Sequence, residues 1–293
     1  MDWQSLTSTL KSDLGFEFTI DSVRQVSGGD INKTYVLRDG LKAYFIKIND
    51  ARLLSMFEAE WQGLNEIAST QTIRVPLPLS CGLVQGYSYL LMEHLNLKSS
   101  SPATERLLGE QLAQLHRIEQ PYFGWFLDNT IGSTPQLNKK NDSWAAFWQS
   151  RRLEFQLDLA KDNGFSGSIQ SKGQLLLDKL DNYFEDYHPQ PSLVHGDLWG
   201  GNASVDESGI PVIYDPACYY ADREVDIAMT ELFGGFGSDF YAAYNDIYAL
   251  DSGYQTRKTL YNLYHILNHL NLFGSGYLGQ TENMLTKLLA DLG

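Results

Sequence analysis

The stretch that decides the fold of this chain is LVHGDLWGGNASV, residues 193–205, together with PVIYDPA, residues 211–217. In each of them a short apolar run is followed closely by an aspartate, Asp197 in the first and Asp215 in the second. Asn202 follows five residues after the first aspartate. These residues could belong to ordinary loops, and an Asp-Pro pair alone is a turn signal. Their combination at this spacing favours a phosphoryl-transfer site.

The spacing of the first stretch indicates what each polar residue could do. Residues 195–202 read H-x-D-x-x-x-x-N, which resembles the catalytic loop of protein-kinase-like enzymes. In such a loop the aspartate orients the acceptor hydroxyl and takes up its proton, which is the role expected of Asp197. Asn202 offers a neutral oxygen and Asp215 an anionic one, and Mg²⁺ prefers oxygen ligands. We therefore predict Asp197 as the base and the other two residues as magnesium ligands.

A lysine and a glutamate in the first part of the chain could hold the phosphates of ATP. Lys47 lies in the apolar strand sequence KAYFIKIN, residues 42–49, where by itself it could simply point to solvent. The helix that follows has one apolar stripe, made of Leu53, Phe57, Leu64 and Ile67. Glu60 falls inside this stripe and Glu58 does not. Because a buried carboxylate is costly unless it is paired, Glu60 is predicted to pair with Lys47.

Two further segments are candidates for nucleotide binding. The loop VSGGDINKTYV, residues 26–36, lies between two predicted strands, where a phosphate-covering loop is expected. It matches neither glycine-rich phosphate-loop pattern, and its paired glycines could equally form a tight hairpin turn. The strand YLLMEHL, residues 89–95, leads into a polar connector whose backbone could bind adenine. The candidate contacts in these segments are Gly28, Gly29, Asn32 and the backbone groups of Glu93 and Leu95.

The predicted elements divide the chain at a polar, serine-rich connector. Residues 1–95 read as an opening helix, several strands rich in β-branched and aromatic residues, and one further helix. Residues 96–293 read mainly as helices, with a small hairpin of two short strands. We therefore predict an α+β bilobal fold, with a small β-rich N-terminal lobe, a larger, mainly helical C-terminal lobe and a hinge at about 93–102. Helices of the second lobe are expected at about 143–163, 170–187, 223–233, 238–249, 254–273 and 281–292.

Composition argues against several classes of partner. The net charge of −14 disfavours nucleic acid and anionic membrane surfaces, because both require clustered basic residues. The N-terminal stretch has no apolar signal segment, and no apolar run approaches the length of a membrane span. Cys81 and Cys218 are far apart and match no zinc pattern. We expect a cytoplasmic protein without nucleic-acid or membrane partners, and its oligomeric state stays open.

The segment after Asp215 favours a small acceptor molecule. A protein kinase carries a long activation segment between its metal-binding aspartate and the next helix. In this chain residues 215–236, DPACYYADREVDIAMTELFGGF, lead directly from the aspartate into a predicted helix. This leaves no room for a segment that binds a polypeptide substrate, so the pattern predicts a small-molecule kinase.

Over nearly its whole length the sequence resembles the fructosamine-3-kinase (ketosamine-3-kinase) family, within the aminoglycoside phosphotransferase and choline kinase-like group. The matching segments are GGDIN, YFIKIN, MFEAEWQGL, LLMEHL, LAQLHR, FGWFLDNTIGSTPQLN, WAAFWQSRRLEFQL, LVHGDLWGGN and DPACYYADREVDIAMTELFGGF. The H-G-D-x-x-x-x-N element alone indicates only the wider group. Residues 128–138, residues 144–153 and the insert at 199–201 point to this family. The resemblance implies transfer of the γ-phosphoryl group of ATP, with Mg²⁺, to the 3-hydroxyl of a ketosamine, which is a small glycated amine.

The resemblance also implies roles for single residues. It makes Asp197 the base and Lys47 with Glu60 the phosphate anchor, and it gives Asp226 and His195 a bracing role in the catalytic loop. Acceptor contacts are expected from a set of polar and aromatic residues, namely Trp199, Asn129, Gln136, Asn138 and Trp144, with core packing as the alternative for Trp144. Asp30 stands where some relatives, chiefly eukaryotic ones, carry a cysteine, so redox regulation through that cysteine is not implied.

Three other functions stay open at this point. An aminoglycoside or amino-alcohol (choline-like) kinase has the same catalytic pattern, and an acceptor panel separates it from a ketosamine kinase. A nucleotide-binding module without catalysis is disfavoured by the intact set of Lys47, Asp197, Asn202 and Asp215. A metal-dependent hydrolase would explain the two aspartates but would leave Lys47 and Glu60 without a role.

Overall fold

The computed structural model of the chain describes residues 2–26 and 31–292. Two predicted nucleotide contacts, Gly28 and Gly29, lie outside the described residues. The chain divides into two compact units, each with its own packed interior. Unit 1 comprises Met1–Ser100 and Ser204–Pro216, and unit 2 comprises Ser101–Ala203 and Ala217–Gly293.

Within the described residues, unit 1 contains a five-stranded antiparallel sheet in the order β1-β2-β3-β5-β4. Its strands are β1 (Ser22–Val26), β2 (Lys33–Asp39), β3 (Lys42–Asp50), β4 (Pro78–Val84) and β5 (Tyr87–Glu93). Its helices are α1 (Trp3–Leu14) and α2 (Leu54–Ser69), the latter preceded by a 3-10 turn (Ala51–Leu53). The predicted β-rich N-terminal region is confirmed.

Local sequence signals explain where several helices begin and end. The Asp2 carboxylate accepts hydrogen bonds from the first N–H groups of α1, which is the usual role of an N-cap residue. That helix ends at Gly15, whose φ of 70° is in the left-handed region that glycine adopts most easily. Ser101 forms a capping box with Thr104 at the start of the first helix of unit 2.

Alternation along β3 places Lys47 on the opposite face of the sheet from its apolar neighbours. Ile46 and Ile48 are buried in a core cluster that includes residues of α1. Successive side chains in a strand point to opposite faces, so Lys47 points away from α1. It meets Glu60 of α2 there. The face of β3 that carries the lysine is therefore the face that carries the candidate site.

Unit 1 also includes a hairpin that comes from much later in the chain, made of β9 (Ala203–Val205) and β10 (Pro211–Ile213). The N–H of Lys98 donates to the carbonyl of Val205 at 2.7 Å, and the N–H of Ile213 donates to the carbonyl of Arg74 at 3.0 Å. The predicted boundary at 95 and 96 placed this hairpin in the second lobe. The structure differs because these hydrogen bonds join distant parts of the chain, which local sequence patterns do not show.

Unit 2 is mainly helical. Its helices are α3 (Pro102–Leu115), α4 (Trp144–Trp148), α5 (Glu154–Asp162), α6 (Ser168–Asp178), α7 (Glu224–Leu232), α8 (Ser238–Ile247), α9 (Tyr254–Phe273) and α10 (Leu278–Asp291). Short strands pair as β6 (Asn129–Ile131) with β7 (Thr134–Gln136) and β8 (Ser192–Val194) with β11 (Tyr219–Ala221). One π-helical turn, Gln149–Leu153, joins α4 to α5.

The predicted helices of the second lobe are found with small differences. The helix expected at 143–163 consists of α4, the π-helical turn and α5, and the one expected at 170–187 ends earlier, in a 3-10 turn at Leu180–Phe184. The expected small hairpin is wrong in its pairing, because β8 pairs with β11 and β9 pairs with β10. Strands this short have too little pattern to reveal their partners.

Helix α9 is the central helix of unit 2. Most of its side chains are buried, on nearly all sides of the helix. Even so, none of the helices in the described part of the chain is long and apolar enough to cross a membrane.

Candidate active site

In unit 1, Lys47 is bound by two carboxylates. Its Nζ lies 2.7 Å from Oε1 of Glu60 and 2.5 Å from Oδ1 of Asp215. The side chains of Lys47 and Glu60 are 7% and 11% exposed, whereas that of Asp215 is 45% exposed. Burial alone would lower the pKa of Lys47, but Asp215 and Glu60 outweigh burial and raise it above its ordinary value. The site therefore holds a charged lysine beside an open carboxylate.

Asp215 has an unusual backbone conformation. Its φ is 57°, one of the few positive values among the described residues other than glycine. Aspartate tolerates the left-handed region better than most residues, and such conformations are frequent at functional sites. The conformation places its carboxylate on Lys47 directly after β10, at the point where the sequence predicts a metal ligand.

In unit 2, the catalytic-loop sequence is held by a buried aspartate on α7. Asp226 accepts hydrogen bonds from the backbone N–H of His195 at 2.7 Å and from that of Gly196 at 2.8 Å. His116 Nε2 lies 3.0 Å from the same carboxylate. Asp226, His116 and His195 are all fully buried. The bracing role expected of Asp226 thus has a direct geometric basis.

The protonation of this buried group follows from its partners. Burial by itself raises the pKa of Asp226, but the hydrogen bonds from His116 and from the backbone N–H of Gly196 help to outweigh burial, so the pKa lies below its ordinary value. Burial also lowers the pKa of His116. A neutral His116 donates from Nε2 to the charged Asp226, while its Nδ1 lies 2.8 Å from the hydroxyl of Tyr244. Sequence reasoning missed His116, although it lies in the LAQLHR segment.

Gly196 is required by a close backbone approach. Its φ is +83°, and a Cβ at this position would lie 2.2 Å from the carbonyl oxygen of Ala217. The N–H of Ala217 in turn donates to the carbonyl of His195 at 2.9 Å. The loop before Asp197 therefore packs directly on the chain after Pro216, which leaves no space for a side chain.

Asn202 and Asp197 form a pair at the end of this loop. The amide nitrogen of Asn202 donates to the carbonyl oxygen of Asp197 at 2.9 Å and lies 3.3 Å from its carboxylate. The Asn202 side-chain oxygen has no hydrogen-bond partner among the described residues. The nitrogen of this amide is thus used within the loop, whereas its oxygen is not used by the described residues.

The WGG insert is explained by the packing of Trp199. A Cβ at Gly201 would lie 2.3 Å from the indole ring of Trp199, and a Cβ at Gly235 would lie 2.8 Å from the backbone of Gly200. The loop therefore crosses the glycine pair that follows α7 at backbone distance, and Trp199 lies over its own loop, 41% exposed. The sequence shows these glycines but not what they contact.

Asp197 and Trp199 line a cavity of about 380 Å³ that is formed entirely by unit 2. This volume lies at the lower end of the range for ligand pockets. The other lining residues are mostly apolar or aromatic and come largely from α9 and its surroundings: Ile131, Gly132, Met229, Phe233, His265, Asn268, His269, Leu272, Phe273 and Tyr277. The pocket therefore combines a carboxylate with several ring faces.

Two histidines of α9 in this cavity were missed by sequence reasoning. His265 is 4% exposed, and its ring makes no hydrogen bond to the described residues. Burial, followed by the nearby His269, lowers the pKa of His265 to about 3, so its ring is neutral at pH 7. A neutral ring carries one donor and one acceptor, which suits a hydroxyl group. The i, i+4 spacing of the two histidines was the available signal.

Four predicted acceptor contacts are buried and hydrogen-bonded within unit 2. Asn129, Gln136, Asn138 and Trp144 are all buried, and none of them lines the cavity. Gln136 donates to the carbonyl of Ala217 at 3.0 Å, and the other three bond to neighbouring side chains and carbonyls. Asn129 and Gln136 thereby hold the carbonyls of Cys218 and Ala217. These bonds favour a structural role for the four residues, and their contact with the acceptor stays a prediction.

The Asn138 side chain also accepts a hydrogen bond from a buried arginine. Arg152 is fully buried and donates to Oδ1 of Asn138 at 2.8 Å and to the carbonyl of Leu137 at 2.7 Å. Its guanidinium carbon lies 4.2 Å from the ring centroid of Tyr219. The asparagine and the π-helical turn that carries Arg152 thus belong to the interior of unit 2.

The remaining nucleotide candidates lie in unit 1. The Asn32 side-chain oxygen accepts a hydrogen bond from Asn49 at 2.8 Å, which holds the end of the predicted phosphate loop. The N–H of Glu93 donates to the carbonyl of Leu77 at 3.0 Å, so it is already used within the protein. The backbone of Leu95 has no hydrogen-bond partner in the part of the chain that the structure describes. Leu95 is therefore the better candidate for contact with a base.

The two residues predicted to bind a metal offer oxygen atoms, which suit magnesium better than a tightly held transition metal. Among the described residues, no group of three or more His, Cys, Asp or Glu side chains could hold a metal ion. Magnesium sites typically use one or two carboxylates and take further oxygens from substrate phosphates and water. The exposed carboxylate of Asp215 in unit 1 and the unpartnered side-chain oxygen of Asn202 in unit 2 are each an oxygen donor of the type that magnesium prefers.

Comparison with known sequences identifies close relatives. A family model described as "Fructosamine kinase" matches residues 2–291. A protein of Synechocystis named "probable ketoamine kinase" is 47% identical over 288 residues, which is 98% of this chain and 97% of the relative. The chloroplastic protein-ribulosamine 3-kinase of Arabidopsis thaliana is 40% identical over 273 residues, which is 92% of this chain and 83% of the relative.

Solved structures agree with these sequence matches. A crystal structure from Haemophilus somnus, whose name places it among the fructosamine-3-kinases, superposes with a TM-score of 0.90 at 32% identity and covers 98% of this chain and 97% of that one. An aminoglycoside phosphotransferase in complex with ADP and hygromycin B superposes with a TM-score of 0.66 at 16% identity, covering 98% of each chain. The second match shows the fold alone, which is protein-kinase-like.

Proposed function

Because the chain belongs to the fructosamine kinase family, we infer that it is an ATP-dependent kinase that phosphorylates the 3-hydroxyl of a ketosamine. The observation that best supports this from the structure is the position of Asp197. Its carboxylate lies on a braced loop and lines a cavity that also contains the face of Trp199 and the neutral ring of His265. A carboxylate, a ring face and a neutral imidazole are the groups that would bind and activate a polyol.

Lys47 is proposed to hold the phosphates of the nucleotide. An ammonium group has three N–H donors, and two of them are directed at Glu60 and Asp215. One donor remains for a phosphate oxygen, while Glu60 fixes the position of the lysine. The loop residues Gly28, Gly29 and Asn32 are proposed to cover the phosphates, and the backbone of Leu95, with a smaller part for Glu93, is proposed to bind the base.

Asn202 and Asp215 are proposed as the ligands of Mg²⁺. When bound, the ion would neutralise charge on the phosphate oxygens. The Asn202 side chain suits this role, because its nitrogen is held by Asp197 and its oxygen makes no hydrogen bond to the described residues. Asp215 is held by Lys47 through one oxygen. Its second oxygen remains for the ion.

Asp197 is proposed to act as the base. The acceptor oxygen attacks the γ-phosphorus, the bond from that phosphorus to the bridging oxygen of ADP breaks, and the hydroxyl proton passes to the Asp197 carboxylate. Such proton transfer typically contributes about 10²- to 10⁴-fold to the rate. Most of the remaining acceleration in phosphoryl transfer comes from positioning and charge neutralisation. Asp226 and His116 contribute to that positioning because they fix the loop.

An acceptor panel tests this function. Purified protein is incubated with Mg-ATP and, in separate reactions, with fructoselysine, ribuloselysine, hygromycin B and choline, and ADP release is measured. We expect turnover of one or both ketosamines and none of the other two acceptors. If only hygromycin B or choline were phosphorylated, the acceptor would be an aminoglycoside or an amino alcohol and not a ketosamine. Tight nucleotide binding without any turnover would leave a binding module.

A further inference from the structure

The cavity beside Asp197 continues along a row of rings. Phe233 contacts Trp199 with a centroid distance of 6.5 Å and contacts His269 at 5.0 Å. His269 contacts Phe273 at 5.3 Å and Tyr277 at 5.1 Å. We call Phe233, His269, Phe273 and Tyr277 the aromatic wall. It leads away from Asp197 and Trp199 and ends at side chains that are partly open to solvent, with Phe273 58% exposed.

The aromatic wall has the chemistry of a cation site. The faces of aromatic rings attract cations within about 6 Å of the ring centre. Among the lining residues that the structure describes, Asp197 is the only carboxylate, and there is no lysine or arginine. No lysine or arginine side chain of the lining therefore competes with a ligand cation. A positively charged group would therefore meet ring faces on one side and a carboxylate at one end.

His269 adds a hydrogen-bond acceptor to the wall. Its Nδ1 lies 2.8 Å from the carbonyl oxygen of His265. Since a carbonyl oxygen can only accept, Nδ1 carries a proton, and in the tautomer with its proton on Nδ1 the other ring nitrogen, Nε2, is an acceptor. A ligand cation that carries N–H groups can donate to this nitrogen. A quaternary ammonium ion cannot.

The end of α9 favours positive charge at the same place. Leu272 and Phe273 line the cavity and belong to the last turn of this 20-residue helix. The last turn contains no basic side chain. Helix C-termini carry partial negative charge from their free carbonyl groups, which stabilises a nearby cation.

The substrate geometry connects these observations to the proposed reaction. In a ketosamine the amine nitrogen is bonded to C1, two carbons from the C3 that carries the acceptor hydroxyl. If that hydroxyl is placed at Asp197, the amine must lie close by. The rest of the amine compound, beyond its nitrogen, must then extend along the cavity. The amine is protonated at neutral pH and carries N–H donors, as the wall requires.

We propose that the aromatic wall is the subsite for the amine end of the ketosamine, binding a protonated secondary amine and the apolar stem of its carrier, such as a lysine side chain. This rests on the proposed ketosamine kinase function. The wall selects the substituted ammonium, while Asp197, Trp199 and His265 bind the sugar. Because Phe273 and Phe233 are 58% and 43% exposed, a carrier longer than the cavity, including a peptide, continues into solvent past these rings.

Two acceptors that differ only in charge test the proposal. The first is 1-deoxy-1-(propylamino)fructose, a protonated secondary amine, and the second is its neutral ether counterpart, 1-O-propylfructose. We expect the wild-type kcat/KM to be about tenfold higher for the amine, which corresponds to about 1.4 kcal/mol of ring–cation attraction. The double variant Phe273→Leu/Tyr277→Leu keeps apolar volume but loses two ring faces. It should reduce the preference to within about threefold, with an unchanged KM for ATP.

A matched control and the contrary outcomes complete the test. Phe126→Leu replaces an equally exposed ring of unit 2 that does not line the cavity, and it should keep the wild-type preference. Equal use of amine and ether by the wild type, or an undiminished preference in the double variant, would overturn the subsite but leave the kinase function in place. Failure of the wild type to phosphorylate any ketosamine while it still binds ATP would overturn both.

Discussion

The amide of Asn202 is oriented so that its nitrogen donates to Asp197, while its oxygen has no hydrogen-bond partner among the described residues. This orientation joins the two proposed functions of the loop, since the same side chain holds the base and offers an oxygen to the metal. An aspartate at this position would place a second carboxylate beside Asp197, and like charges at this distance raise the pKa of one group.

The pair predicts different effects for its two members. Asn202→Leu should raise the Mg²⁺ concentration needed for half-maximal activity by at least about tenfold. Mutation of a residue that merely hydrogen-bonds to a metal ligand already lowers metal affinity by about this factor. Asp197→Asn should lower kcat by about 10²- to 10⁴-fold and leave the Mg²⁺ requirement almost unchanged. Magnesium titrations at fixed ATP measure both quantities. An Asn202→Leu variant with the wild-type magnesium requirement would exclude Asn202 as a ligand.

The lysine between Glu60 and Asp215 predicts a large loss of stability when it is removed. Lys47→Met would leave the buried Glu60 without its partner, and breaking a buried ion pair typically costs about 3 to 5 kcal/mol. The double variant Lys47→Met/Glu60→Leu removes both charges and should recover most of this loss while remaining inactive. Urea unfolding of the wild type and the two variants measures the difference. Equal stability of the single and double variants would show that Glu60 and Lys47 are not coupled.

Part of this site follows from sequence and part does not. The stripe on α2 identified Glu60 as the partner of Lys47 because periodicity reports which face of a helix is buried. The spacing of Asp197, Asn202 and Asp215 likewise identified them as candidate catalytic residues that follow short apolar strands. His116 could not be found in this way, because its partner Asp226 lies 110 positions away in sequence.

The residues that bind the acceptor are the hardest part of the site to predict from sequence. Asn129, Gln136 and Asn138 were polar residues in a segment typical of the family, and the sequence cannot distinguish a buried amide that satisfies backbone carbonyls from one that faces a ligand. Conversely, His265 and His269 lie on a helix that is buried on nearly all sides. Only the three-dimensional arrangement shows that these histidines line the cavity.

The contact of Gly201 with Trp199 predicts a selective effect on the acceptor. Gly201→Ala would bring a methyl group within 2.3 Å of the indole ring, and the ring is a side chain that can move. We expect KM for the ketosamine to rise by about tenfold, roughly 1.4 kcal/mol, with KM for ATP unchanged. Gly279→Ala, where a Cβ meets nothing within 4 Å, is the matched control. The effects of Gly201→Ala and Trp199→Ala should not add, and full additivity would mean that the glycine acts elsewhere.

The neutral His265 predicts a loss of stability in acid. The pKa of this histidine is lowered to about 3 in the folded protein, whereas an unfolded histidine titrates near 6.5. Between these two pH values the unfolded state therefore binds one more proton than the folded state. As the pH falls from about 6.5 to about 3, the free energy of unfolding should fall by up to about 1.4 kcal/mol per pH unit. Urea unfolding at several pH values should show a shallower slope for His265→Gln. An identical slope would mean that the ring is protonated in the fold.

The position of the new phosphate on the product tests the central claim most directly. Wild-type protein is incubated with Mg-ATP and fructoselysine, and the phosphorylated carbon is assigned by ³¹P and ¹³C NMR. The proposed function predicts a single product with its phosphate on the oxygen of C3. Phosphate on the oxygen of any other carbon, or ADP formation without a phosphorylated sugar, would contradict it.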